Sequence, residues 1–164
     1  MTVAETIESA VSWAEAIAAD DSHIYSQDVR WGPSYDCSSL VISAWEQAGV
    51  PLRSKGASHT GNMAAVMLAN GFERITSGIN FTTGSGFKRG DVLLDPLGDQ
   101  RHVGMSVGNG KIVEAFGGPY AAQSIRVTSY YRWGQDRAYR YVGEGTASEP
   151  SFKVTEYPRR GRNR

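Results

Sequence analysis

The chain has 164 residues, of which 40% are hydrophobic and 21% charged, enough for one domain with a closed core and too few for two comfortable ones. Seventeen basic residues balance seventeen acidic ones, so no global field draws the protein to nucleic acid or to anionic lipid. The single cysteine, Cys37, excludes an internal disulfide and any Cys-rich zinc site.

No run approaches the ~20 apolar residues of a membrane span, and the N-terminus lacks the basic region and apolar core of a secretory signal. Val3, Ile7, Val11, Ala14 and Ile17 recur at helical spacing, which predicts an amphipathic helix over residues 2–19, ended near Asp20. The first residues are thus expected to be structure and not a targeting signal. A polar stretch with the Gly32-Pro33 turn signal follows. Asp36 then precedes the periodic run Leu40, Val41, Ala44, Trp45 and Ala48, which stops at Gly49 with Pro51 beyond. This is a second helix with its cap and its stop in order, and Cys37 lies in its first turn. Residues 60–70, with Met63, Val66, Met67 and Leu68, predict a third helix packed on the core.

From Phe72 the period changes. Short β-rich runs at 72–76, 91–94, 102–107, 111–116, 124–127 and 137–142 alternate with glycine-containing turns. Helices first and strands second favour an α+β domain with helices on one side of an antiparallel sheet. Residues 1–143 form that domain. Residues 144–164, rich in Gly, Ser, Pro and Arg, read as a flexible basic tail or linker stump. Gly84-Ser85-Gly86 lacks the Gly-Lys-Ser/Thr ending of a phosphate loop and reads as a turn.

A thiol at a helix N-terminus is favoured as thiolate, because the unbonded N–H groups and the helix dipole stabilise negative charge there. The competing reading is a small buried apolar residue, but Asp36, Ser38 and Ser39 make this helix end polar. A thiol nucleophile needs a base, and His23, His59 and His102 are the three imidazoles. His23 lies in a loop, and His59 sits where a capping role suffices. His102 opens a strand and is followed by Gly104, whose small size leaves room for a substrate or another side chain.

A third group should orient the imidazole. If Gly108-Asn109-Gly110 is a three-residue loop, Val107 pairs with Lys111, Gly104 faces Glu114, and His102 shares that sheet face. If Asn109-Gly110 is a two-residue turn, the register moves by one and Glu114 points to the other face. The first register gathers Val103, Met105, Val107, Val113 and Ala115 on one core face and is preferred, whereas Ile112 and Phe116 suit the second. Asp91 and Asp95 are alternative orienting groups.

The runs 25–41 (with Tyr25, Arg30, Gly32-Pro33 and Tyr35-Asp36-Cys37-Ser38-Ser39), 88–94 (Lys-Arg-Gly-Asp-Val-Leu-Leu) and 102–115 (from His102 to Glu114-Ala115) resemble the NlpC/P60 peptidoglycan hydrolases. The pattern is most similar to the branch found in phage lysins. The resemblance covers residues 2–142 and implies a papain-like α+β fold, N-terminal helices packed on a central antiparallel sheet. It implies that Cys37 attacks an amide carbonyl of a bacterial cell-wall stem peptide, that His102 is the base, and that no metal or cofactor takes part. The third position in that family is most often His, and here it is Glu114. Tyr25, together with Asp36 and Ser38 beside the thiol, is the expected substrate contact. Bacterial peptidoglycan is the implied partner, with no nucleic acid and no stable membrane insertion. The protein would be made in a host cytoplasm and act on the wall, as phage-encoded lysins do. The competing reading is a catalytically silent wall-binding domain of the same fold, which the atypical Glu114 would permit.

Overall fold

A computed structural model describes residues 1–98, 101–117 and 123–143. The tail expected at 144–164 lies outside the described residues. Three helices, α1 (Val3–Ala19), α2 (Cys37–Gln47) and α3 (Met63–Ala69), precede six strands: β1 (Phe72–Ile75), β2 (Val92–Leu94), β3 (Val103–Gly108), β4 (Lys111–Ala115), β5 (Ile125–Ser129) and β6 (Arg137–Tyr141). The strands form one antiparallel sheet in the order β1-β6-β2-β3-β4-β5. Segregated helices and strands give the expected α+β class.

Capping fixes the first two helix starts. Thr2 accepts the Glu5 N–H at 3.1 Å while the Glu5 carboxylate accepts the Thr2 N–H at 2.8 Å, and Asp36 and Ser39 exchange the same pair of bonds at 2.9 Å each. The third helix is shorter than its apolar pattern suggests. The Asn62 side chain accepts the N–H groups of Ser58 and His59 at 2.9 and 3.1 Å, which commits residues 58–62 to a turn before the helix begins. Met63 and Met67 enter the core, but Leu68 is 49% exposed, so only one side of this helix packs as expected.

The helices lie on one face of the sheet, where Ala10, Val11, Ala14, Leu40, Val41 and Trp45 meet Val92, Leu94, Val103, Met105, Val113 and Ala115. The other face is covered too. Leu93, Ile112 and Ala138 pack there against Ile79, Phe81, Phe87, Tyr130, Tyr131 and Trp133 from the loops around residues 76–91 and 130–136.

The β3–β4 hairpin combines features of both expected registers. Asn109 and Gly110 have φ of 56° and 72°, a two-residue turn closed by the pair Gly108↔Lys111. One extra residue, Val107, then bulges between Gly108 and Ser106, so the register beyond it becomes Ser106↔Ile112 and Met105↔Val113. Arg89 steadies the bulge by donating to the Val107 carbonyl at 3.0 Å while its guanidinium also binds Glu8 and Glu15 of α1. Because side chains alternate, this register puts the apolar set Val103, Met105, Val113 and Ala115 on the helix side and Ile112 on the other. The turn is that of the two-residue alternative, and the pairing beyond it is that of the three-residue one.

Candidate functional site

Cys37 is the first residue of α2 and half-buried, so its thiol stands at the positive end of the helix dipole. Asp36 anchors that end. Its carboxylate accepts the Ser39 N–H and the Arg30 guanidinium, with Nε at 2.6 Å, and Arg30 reaches on to the Ser38 hydroxyl at 3.0 Å and the Ser58 carbonyl at 2.5 Å. Burial opposes ionisation of Asp36, but the Arg30 and Ser39 bonds outweigh it and hold the carboxyl below its ordinary range.

His102 immediately precedes β3. Its Nε2 lies 2.7 Å from Glu114 Oε1, which leaves Nδ1 as the ring nitrogen for other partners. Cys37 lines the same cleft as this imidazole, and its Sγ is 3.9 Å from the Arg101 carbonyl. Burial disfavours the imidazolium, yet the neighbouring Cys37 and the hydrogen-bonded Glu114 carboxylate prevail and push the His102 pKa up to about 9. The Trp133 ring meets the imidazole edge-on, with centroids 5.0 Å apart.

Glu114 has no exposed surface. Besides His102 it accepts Arg126 Nε at 3.0 Å and the Tyr131 hydroxyl at 2.8 and 3.0 Å. Arg126 is its direct partner on β5, and the β3 register continued by one residue puts Gly104 opposite it on the other side. Burial raises the Glu114 pKa, but His102, Tyr131 and Arg126 together hold it below the usual carboxylate value. The space left by Gly104 is taken by Trp133: a Cβ there would stand 3.1 Å from the indole and 3.5 Å from Ile112.

Cys37 and His102 open onto a cleft of about 460 Å³ lined also by Tyr25, Gln27, Arg101, Ala115, Phe116, Tyr131 and Trp133. Tyr25 is on the wall, and burial and the neighbouring Cys37 raise its phenol pKa. Asp36 and Ser38 do not line the cleft. They are buried behind the thiol, with relative exposures of 8% and 3%, and their polar atoms are engaged with Arg30 and Ser39. The expected contact with substrate therefore does not follow for these two, because their bonds are spent on the start of α2.

The other candidates are placed elsewhere. His23 bonds the Pro33 carbonyl through Nδ1 at 2.5 Å, and His59 accepts the Gly61 N–H at 3.0 Å. Asp91 is tied to Arg140 at 2.7 Å, and Asp95 accepts the Gly98 N–H at 2.7 Å on the wall of a separate cavity of about 530 Å³ beyond Trp133. Arg126, Tyr131 and Trp133 are not singled out by sequence reasoning, and Arg30 enters it only as part of the family pattern, without a role. Arg126 was accessible in principle, as the polar residue alternating with Ile125 and Val127, but the long 116–124 connection left its register with β4 undefined. Tyr131 and Trp133 lie in a loop with no periodicity to read.

The chain matches, over residues 6–148, the family described as bacteriophage peptidoglycan hydrolase. No curated protein matches it. Among solved structures it is similar to the P60 domain of antigen MAP1204 from Mycobacterium avium subspecies paratuberculosis (TM-score 0.59, 18% identity, 87% of this chain and 98% of that one). It is also similar to the peptidoglycan hydrolase RipB from Mycobacterium tuberculosis (TM-score 0.60, 21% identity, 87% and 67%). A third likeness is to NlpC2 from Trichomonas vaginalis (TM-score 0.58, 20% identity), of which the match covers 85% of this chain and 47% of that one. The shared feature is the NlpC/P60 fold.

Proposed function

Because the chain belongs to the bacteriophage peptidoglycan hydrolase family, we propose that it cleaves an amide bond of the bacterial cell-wall stem peptide, with Cys37 as nucleophile. The observation that carries this reading is that His102, bonded to Glu114, shares an aromatic-lined cleft with Cys37 at the start of α2. Cys37 attacks the carbonyl carbon as thiolate, with its proton held by His102. The tetrahedral oxyanion is met by first-turn N–H groups of α2, that of Cys37 among them, where the helix dipole adds to the stabilisation. As the intermediate collapses, His102 gives its proton to the leaving amine and a thioester remains. Water, deprotonated by His102, then hydrolyses the thioester and restores the thiol.

Glu114 holds the imidazole with Nε2 turned inward and balances the imidazolium charge, the task of the aspartate in a serine triad. Tyr25 contacts substrate from the wall of the cleft. Asp36 and Ser38 act one step back, holding the helix end that carries the thiol. Residues 1–143 are the catalytic unit, made in a host cytoplasm and acting on the wall.

The scissile bond joins either N-acetylmuramic acid to L-alanine or D-glutamate, through its γ-carboxyl, to the diamino acid. Digestion of purified peptidoglycan by the wild type and by Cys37→Ala, with mass spectrometry and labelling of new amines, tests the reading. New L-alanine termini identify the first bond and diamino-acid amines the second. Release by Cys37→Ala, or no release by the wild type from any of several wall types, overturns it, and in the latter case retention on the walls would mark a silent binding domain.

A further inference from the structure

The Glu114 carboxylate is shared between two cations, and the role of the second rests on the catalytic reading just given. Oε1 faces His102 Nε2 at 2.7 Å, while Oε2 receives Arg126 Nε at 3.0 Å and Nη2 at 2.9 Å. The guanidinium is itself fixed, because it lies over the Phe116 ring at 3.6 Å, and Phe116 lines the cleft. Arg126 is held opposite Glu114 by the β4–β5 register. A fully buried carboxylate with His102 as its sole cationic partner would pair completely with the imidazolium and make it a reluctant proton donor. We propose that Arg126 is a positioning residue for the Cys37–His102 pair: it holds Glu114 by Oε2, so that the carboxylate meets the imidazole through Oε1 and divides its charge between the two.

The groups facing this carboxylate are His102 at the start of β3, Arg126 of β5 and Tyr131 of the following loop. Cys37 of α2 lines the same cleft as the imidazole, beside the Arg101 carbonyl. Of these, Arg126 alone is a permanent cation on the carboxylate, and Tyr131 is a neutral donor at pH 7.

The test is the imidazole titration of His102, followed by NMR of histidine-labelled full-length protein without substrate. Arg126→Gln, which can still donate to Oε2 but carries no charge, is expected to raise the His102 midpoint by about one unit. Arg126→Lys, which keeps the charge, is expected to stay near the wild-type midpoint. A midpoint unchanged or lowered in folded Arg126→Gln overturns the proposal, since a merely structural arginine would alter melting and not the titration. If Arg126→Gln does not fold, the wild type supplies the reading: the Arg126 Nε–H resonance is expected to move with the His102 midpoint, and an Nε–H signal indifferent to it overturns the proposal. Because no substrate is present, failure of wall hydrolysis would count against the function and leave this titration as a separate result.

Discussion

His102 and Glu114 meet at 2.7 Å on the sheet face opposite the helices, and the one-residue bulge at Val107 is what allows it. Without that extra residue the two-residue turn would carry Glu114 to the helix side, among apolar neighbours. With it, a carboxylate 12 residues away in the chain reaches the imidazole and is closed off by Arg126 and Tyr131, while Trp133 packs on the imidazole.

Replacing Cys37 by alanine is expected to lower wall hydrolysis by about three orders of magnitude or more, as loss of a nucleophile does. The side chain is half-buried and small, so stability should change by less than about 1 kcal/mol. Release of soluble fragments and a thermal melt, measured on the same preparation, check both halves.

Folding raises the His102 pKa from its unfolded 6.5 to about 9, so protonation of this group stabilises the native state. The contribution, on the order of 3 kcal/mol, is fully present below pH 6.5 and is lost as pH rises through about 9. Urea unfolding of the wild type and His102→Gln at pH 6 and pH 9.5 is expected to show a gap that narrows at the higher pH; a gap that widens contradicts the assignment. In Cys37→Ala the imidazole loses its thiol partner, so its midpoint should fall.

Glu114→Gln keeps the shape and removes the charge. The amide cannot satisfy both His102 and Arg126 as the carboxylate does, so hydrolysis should drop by about 10⁴, the size seen when a triad carboxylate becomes an amide. A stability loss of about 1–3 kcal/mol is expected, because a buried charge-assisted network loses its acceptor. His59→Ala, remote from the cleft, should hydrolyse walls at the wild-type rate, and parallel assays of the two variants make the comparison.

Gly104→Ala would press a methyl group against Trp133 at 3.1 Å. Since Trp133 both lines the cleft and abuts His102, the indole should shift, at a cost of about 1–2 kcal/mol and with KM affected more than kcat. Indole fluorescence and steady-state kinetics report the two effects. An unchanged KM would mean that this wall does not touch substrate.

Asp36→Asn should retain the helix cap while weakening the bond to Arg30, and Asp36→Ala should lose both. The alanine variant is expected to be about 1–2 kcal/mol less stable and to lose kcat with little change in KM, as befits a residue behind the thiol. A selective rise in KM would instead make Asp36 a substrate contact.

Much of the architecture was written in local pattern. Periods of 3.6 and 2, the Asp36 cap and the glycine turns placed two helices and six strands within a few residues, because capping and face alternation depend on near neighbours alone. The same logic put Cys37 at a helix start and His102 at a strand entry. The start of α3 escaped because Asn62 bonds backward to Ser58 and His59, a local competition that apolar spacing does not record.

What only the tertiary structure decided were contacts between segments whose relative register no short-range rule determines. Whether Glu114 faces His102 depended on a bulge held by Arg89 from a distant loop, and whether Asp36 faces substrate depended on Arg30 claiming its carboxylate first. Arg126 and Tyr131 joined the site for the same reason: a buried carboxylate must be satisfied, and the groups that satisfy it come from wherever the folded chain brings a donor within reach.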